Sequence, residues 1–136
     1  MHETHRDRQR KILAFAAVVE AATGLALTID PSLVVALLVG VEVSGIGTLL
    51  GRCFGISLLA LGLACWPDPQ RIGSGDSALR GMFVYNALIA SYLTFLGTVR
   101  HLEGWLLWPA VALHGVVALL LVFTWHGKRS TKAADK

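Results

Sequence analysis

Four stretches of this chain, 12–29, 44–66, 78–99 and 105–126, are long, apolar and almost free of charge, with short polar breaks between them. No other feature constrains the fold as strongly. The hydrocarbon core of a bilayer is about 30 Å thick and takes roughly 20 apolar helical residues to cross. Backbone N–H and C=O groups in lipid have to be satisfied within the segment, which a helix does. The pattern therefore predicts an all-α integral membrane four-helix bundle. Composition agrees: 15% of the 136 residues are charged, 54% are hydrophobic, and mean hydropathy is +0.61. The charges gather at the two ends and in two connections, as in a polytopic membrane protein.

The breaks carry their own signals. Asp30 and Pro31 stop the first span. The run 31–40 is apolar but too short to cross. Asp30 suits its N-cap, Pro31 its first helical position and Gly40 its stop, so it reads as a short interfacial or re-entrant helix. Ser44 is the expected cap of the second span. Trp66-Pro67-Asp68-Pro69 ends that span, and Gly73, Ser74, Gly75 and Asp76 mark a turn before the third. Residues 100–104 form a tight polar connection, and Pro109 falls in the first turns of the fourth span. A basic segment, 1–11, precedes the bundle. A basic tail, 127–136, follows it and is expected to be disordered. The basic run Arg6 to Lys11 before an apolar stretch looks like a signal peptide, but Glu20 interrupts the stretch and no small-x-small site follows, so a retained anchor is expected.

Lys and Arg set the expected orientation. Arg6, Arg8, Arg10, Lys11, Arg71, Arg80, Lys128, Arg129, Lys132 and Lys136 fall on the side of the termini, and Arg100 alone falls opposite. That bias predicts both termini in the cytoplasm. Trp66, Trp105, Trp108 and Trp125 lie near span ends, as in an interfacial belt. The net charge of +3 does not point to nucleic acid, because the basic residues flank apolar spans and form no stripe. The expected partner is the lipid bilayer. Cys53 and Cys65 are twelve positions apart in one helix, about 18 Å, too far for a disulfide. They read as free thiols with no metal-ligand spacing around them.

Polar groups inside the spans need an explanation, since a charge at bilayer depth costs several kcal/mol unless paired or hydrated. Each span holds one: Glu20, Arg52, Asn86 and His114. Glu20 lies about 13 Å below the end of the first span and Arg52 about 12 Å below the start of the second. The sharpest expectation is an ion pair between them. His114 and Tyr92 fall at comparable depth and Asn86 deeper, giving a candidate network of Glu20, Arg52, Asn86, His114 and Tyr92. Ala16, Ala17, Thr23 and Gly24 surround Glu20 at helical spacing and permit close helix approach. Gly47, Gly51 and Gly55 form a doubled G-x-x-x-G, a helix-packing face that fits another helix of the chain, a second copy of the chain or another membrane protein.

Each group also has a structural reading. Glu20 and Arg52 serve either as a salt bridge that fixes register or as a proton or ligand site. His114 is either a hydrogen-bonded core residue or a relay. Haem in such a bundle needs two buried axial ligands, and only His114 is well placed, so no cofactor is expected. Asn86 reads as an interhelical hydrogen bonder. Tyr85 and Tyr92, seven apart, read as packing on one face. His101 and His126 sit at helix ends in water. No nucleotide loop, G-x-S-x-G, H-E-x-x-H or C-x-x-C occurs, so there is no catalytic or metal motif and an enzyme ranks last.

Several runs together carry a resemblance: Glu20 to Leu27, Pro31 to Gly40, Gly51-Arg52 with Gly55-Ile56, Ala64-Cys65-Trp66-Pro67, Arg80-Gly81-Met82 with Tyr85-Asn86, and Leu107-Trp108-Pro109 with His114. From residue 12 to residue 114 the chain resembles a group of small bacterial four-helix membrane proteins of unassigned function. In size and layout it is similar to DoxX-like membrane proteins. The likeness implies a four-helix fold in a bacterial inner membrane and no chemistry. Ala17-Val18-Val19-Glu20 with Thr23-Gly24 is also similar to small multidrug resistance transporters, whose glutamate binds protons and cationic drugs. Arg52 and the strong charge bias depart from that pattern. The sequence thus ranks a structural or accessory membrane subunit with a buried Glu-Arg-His network first. A proton-coupled small-molecule transporter using Glu20 comes second, and an enzyme or cofactor binder built on His114 and Glu20 third.

Overall fold

The computed structural model describes the backbone of residues 2–67 and 75–134 and the side chains of 7–67 and 77–125. The order is α1 (His2–Ile29), α2 (Pro31–Val39), α3 (Ile46–Ala64), α4 (Gly75–Thr98) and α5 (Leu107–Ala134), with no strand among the described residues. Asp7–Ile29, Ile46–Ala64, Ser77–Thr98 and Leu107–Trp125 are long and apolar enough to cross a membrane. Between 17% and 33% of these apolar windows is buried inside the chain. The remaining apolar surface, including Phe15, Leu25, Leu50, Leu88, Leu119 and Phe123, is far more than water tolerates and fits contact with lipid.

The capping signals act as their chemistry requires at α2. Asp30 Oδ1 accepts from the Leu33 N–H at 3.0 Å, Pro31 opens the helix, and Gly40 closes it in the left-handed region at φ 73°. At α3 the expected cap is not used. Gly45, not Ser44, holds the N-cap position, without a side-chain bond, and Ser44 contributes only its carbonyl, to Gly47 N–H. The helical backbone also runs further at both ends than the apolar pattern suggests. α1 begins at His2, within the basic segment, and α5 continues to Ala134, through the tail expected to be disordered. Lys and Arg are good helix formers, so a polar extension can follow the spanning part. Of the turn read before the third span, Gly75 and Asp76 are already helical and open α4, while 68–74 lies outside the described residues.

Two tight helix pairs make the bundle. α1 packs along α3, and α4 along α5; α1 then joins α5 and, more narrowly, α4. The α1–α3 contact runs backbone to backbone. A Cβ on Gly24 would lie 2.6 Å from Gly55 O, one on Gly55 2.7 Å from Gly24 O, and one on Gly62 2.7 Å from Ala17 O. Gly51 seats the ring of Pro31, at the start of α2, with a Cβ there falling 2.6 Å from Pro31 Cβ. The glycine face thus packs within the chain through Gly51, Gly55 and Gly62. Gly47 takes no part, since its nearest neighbour is Val43, one turn away. In the half of the bundle nearer the termini, Leu13, Ala16, Ala17, Cys65, Leu79, Met82, Val117 and Leu121 form one contiguous apolar core across α1, α4 and α5. Cys53 and Cys65 are both free thiols.

Candidate functional site

Glu20 projects from the middle of α1 into the seam between the two helix pairs. It is 1% exposed, and among the described residues neither carboxyl oxygen has a hydrogen-bond partner. Glu20 lies about 13 Å from the end of α1 at Ile29, and His114 about 10 Å from the start of α5 at Leu107, so the two meet at similar depth. The His114 Nδ1 to Glu20 Oε1 distance is 3.7 Å, too long for a hydrogen bond.

The hydrogen of His114 is committed elsewhere. Asn86 Nδ2 donates to the Met82 carbonyl at 2.9 Å. A carbonyl only accepts, so this bond fixes the amide with Oδ1 toward His114. Asn86 Oδ1 and His114 Nδ1 are 2.8 Å apart. Oδ1 is an acceptor, so Nδ1 carries the hydrogen and donates it to Asn86. The tie from α5 to α4 is therefore satisfied, and the Glu20 carboxyl across the seam is left out of it. Tyr85 stands edge-on to the His114 ring, with centroids 6.0 Å apart and planes at 78°. Tyr85 and Asn86 are the polar side chains beside the Glu20 carboxyl, though neither reaches bonding geometry.

The expected network is thus partly assembled. Glu20, Asn86 and His114, from three helices, come together. Arg52 does not join them, and the Glu20–Arg52 ion pair does not form: Arg52 is exposed on α3, next in sequence to Gly51, which faces Pro31. At about 100° per residue, the turn that aims Gly51 inward carries Arg52 off the contact. Arg52 lies about 9 Å inside the start of α3, within reach of the headgroup region for a long side chain that snorkels. Tyr92 is also outside the network; it is 58% exposed and stacks on Phe95 with centroids 6.4 Å apart. Tyr85, read as packing, belongs to the site instead. The two tyrosines do share a stripe of α4, but α1 covers that stripe only in the half nearer the termini, where Leu79 and Met82 meet Leu13, Ala16 and Ala17.

Among the described residues no group of His, Cys, Asp and Glu is placed to hold a metal ion. No known protein family, curated protein or solved structure matches the chain, so the likenesses drawn from its motifs rest on those motifs alone.

Proposed function

We propose that this chain is a proton-coupled small-molecule transporter, with Glu20 as the group that takes and releases the proton. The observation that carries the reading is the Glu20 carboxyl, buried with both oxygens unpartnered. A network kept only for packing is expected to be satisfied, and a half-satisfied one is worse than an apolar core. Without Arg52 beside it, Glu20 has no permanently charged partner among the described residues, only His114 at 3.7 Å. A neutral acid tolerates such a place far better than a carboxylate does. In the closed state Glu20 therefore holds its proton. When the seam opens to water the proton leaves, and the two free oxygens accept hydrogen bonds from a solute. His114, 3.7 Å away, is the second titratable group of the cycle. The location supports this reading, since transporter sites commonly lie near mid-bilayer between two bodies that rock against each other. Here one body is the α1–α3 pair and the other the α4–α5 pair.

The test reads the proton directly. Purified protein in liposomes is titrated by infrared difference spectroscopy, with Glu20→Gln as the control. A protonated-carboxyl band that appears with the wild type and vanishes in Glu20→Gln is expected, together with loss of solute-driven proton uptake in vesicles holding a pH dye. A carboxylate that stays ionised throughout the titration overturns the reading.

A second reading, an accessory subunit, draws on α3. Its outward side, with Leu49, Arg52, Ile56 and Leu63 exposed, fits lipid or another membrane protein. Under either reading the Lys and Arg bias favours both termini in the cytoplasm, which reporter fusions at each end test directly, and the resemblance of the motifs favours a bacterial inner membrane.

A further inference from the structure

The two ends of the seam that holds Glu20 are closed by different means. Toward the termini the contiguous apolar core plugs it with interlocked side chains from three helices. On the far side, beyond Glu20 and His114, that contiguous core does not continue among the described residues, and Leu27, Leu93 and Leu107 are buried outside it. There α2 crosses from one helix pair to the other, held at its start by side chains and at its end by backbone. At its start, Pro31 is buried against Gly51, and Ser32 Oγ donates to the Val43 carbonyl at 2.9 Å. At its end, the Leu106 N–H donates to the Leu37 carbonyl at 2.8 Å. Gly104 lies so close under the Leu37 and Leu38 carbonyls that a Cβ would overlap them, and a Cβ on Gly40 would meet Glu103 O at 3.0 Å.

We propose that α2, docked on residues 103–106, is the far-side gate of the Glu20 site. The gate rests on the reading of Glu20 as a proton site and adds a direction: from the closed arrangement, the first opening of the site to proton and solute is toward the side opposite the termini. The contact is built to part. Among the described residues it joins two backbones through one hydrogen bond, from the Leu106 N–H to the Leu37 carbonyl, and through Gly40 and Gly104. The receiving loop also holds His101 at φ 52°, a left-handed conformation that L side chains adopt at a cost. Release of α2 lets that residue relax. The Pro31–Gly51 seat keeps the start of α2 on α3, so α2 swings as a strap hinged at one end.

A thiol placed one turn above Glu20 reads the gate without any knowledge of the solute. In a full-length Cys53→Ser, Cys65→Ala background, Thr23→Cys is exposed to a membrane-impermeant charged maleimide from each face of right-side-out and inverted vesicles. Gly104→Val wedges α2 off the loop, and Leu106→Pro removes the one N–H without adding bulk at a helix start that accepts proline. Each is expected to speed labelling of Thr23→Cys from the far side by about tenfold or more, as a local opening becomes populated, and to leave the terminal side protected. Unchanged labelling in variants that fold, or faster labelling from the terminal side, overturns the gate. Should both variants misfold, amide hydrogen exchange on the unmodified chain decides. Leu106 and Gly40 are expected to exchange well before Gly24 and Gly55, and equal protection overturns the gate. Labelling does not depend on the charge of Glu20. A gate that opens in a protein whose Glu20 never titrates sinks the transport reading alone. A Glu20 that titrates behind an unmoved α2 sinks the gate alone.

Discussion

His114 Nδ1 stands 2.8 Å from Asn86 Oδ1 and 3.7 Å from Glu20 Oε1, so the single hydrogen on that nitrogen serves the amide and not the acid. Replacing a buried, unsatisfied polar group by an apolar one of similar size removes a desolvation penalty. Glu20→Leu is therefore expected to raise stability by about 1–3 kcal/mol, measured by thermal unfolding in detergent or bicelles, and to abolish proton uptake. A loss of stability in Glu20→Leu would mean that the carboxyl has partners within the bundle. Stability gained at the expense of activity is the usual mark of a working site.

Asn86 and His114 should behave as a coupled pair. Removing either leaves the other with an unmet hydrogen-bonding group at bilayer depth. Interhelical bonds in membranes contribute less than that isolation suggests, because the unfolded helices find other partners. A double-mutant cycle with Asn86→Leu and His114→Phe is expected to return a coupling of about 0.5–2 kcal/mol. Additive single effects would show that the bond does not join α4 to α5.

Spans and depth were readable because they depend on one-dimensional properties: run length, charge spacing and caps. The short helix after the first span was readable in Asp30, Pro31 and Gly40 for the same reason. Azimuth was the harder part. Glu20 and Arg52 match in depth, yet a shared depth says nothing of which way each side chain turns. The glycines held the missing information. With Gly55 and Gly62 committed to α1 and Gly51 to Pro31 at the start of α2, Arg52 falls off the contact by helix geometry alone. Gly24 is committed to α3 in the same way, while Glu20 points to the other pair. The role of Tyr85 could not be read from α4, because it depends on where α1 crosses.

Arg52 gives a sharp contrast between the pairing expected from depth and the arrangement found. Breaking a buried ion pair costs about 3–5 kcal/mol, because the orphaned partner stays buried. An exposed arginine at the lipid boundary carries no such debt. Arg52→Leu is expected to shift stability by less than about 0.5 kcal/mol or to raise it, and to leave the infrared signature of Glu20 unchanged. Unfolding of this variant, with recovery in Glu20→Gln/Arg52→Leu, would restore the ion pair.

The glycines of α3, α4 and α5 separate close approach from mere tolerance. A Cβ on Gly55 would fall 2.7 Å from Gly24 O and 2.8 Å from Thr28 N, and one on Gly24 2.7 Å from Leu59 N. These are backbone atoms of the opposing helix, which no rotamer change can move. Gly55→Ala is expected to cost about 1–3 kcal/mol as an overpacked contact, and Gly55→Leu to part α1 from α3. Gly81 and Gly115 have nothing within 4 Å of a built Cβ, and both are helical. Gly81→Ala and Gly115→Ala are therefore expected to be neutral or to stabilise by up to about 1 kcal/mol through helix propensity. Thermal unfolding of the four variants side by side checks the pattern. Equal tolerance at Gly55 and Gly115 would mean that α1 and α3 do not meet through their backbones, and the two-body arrangement around Glu20 would go with it.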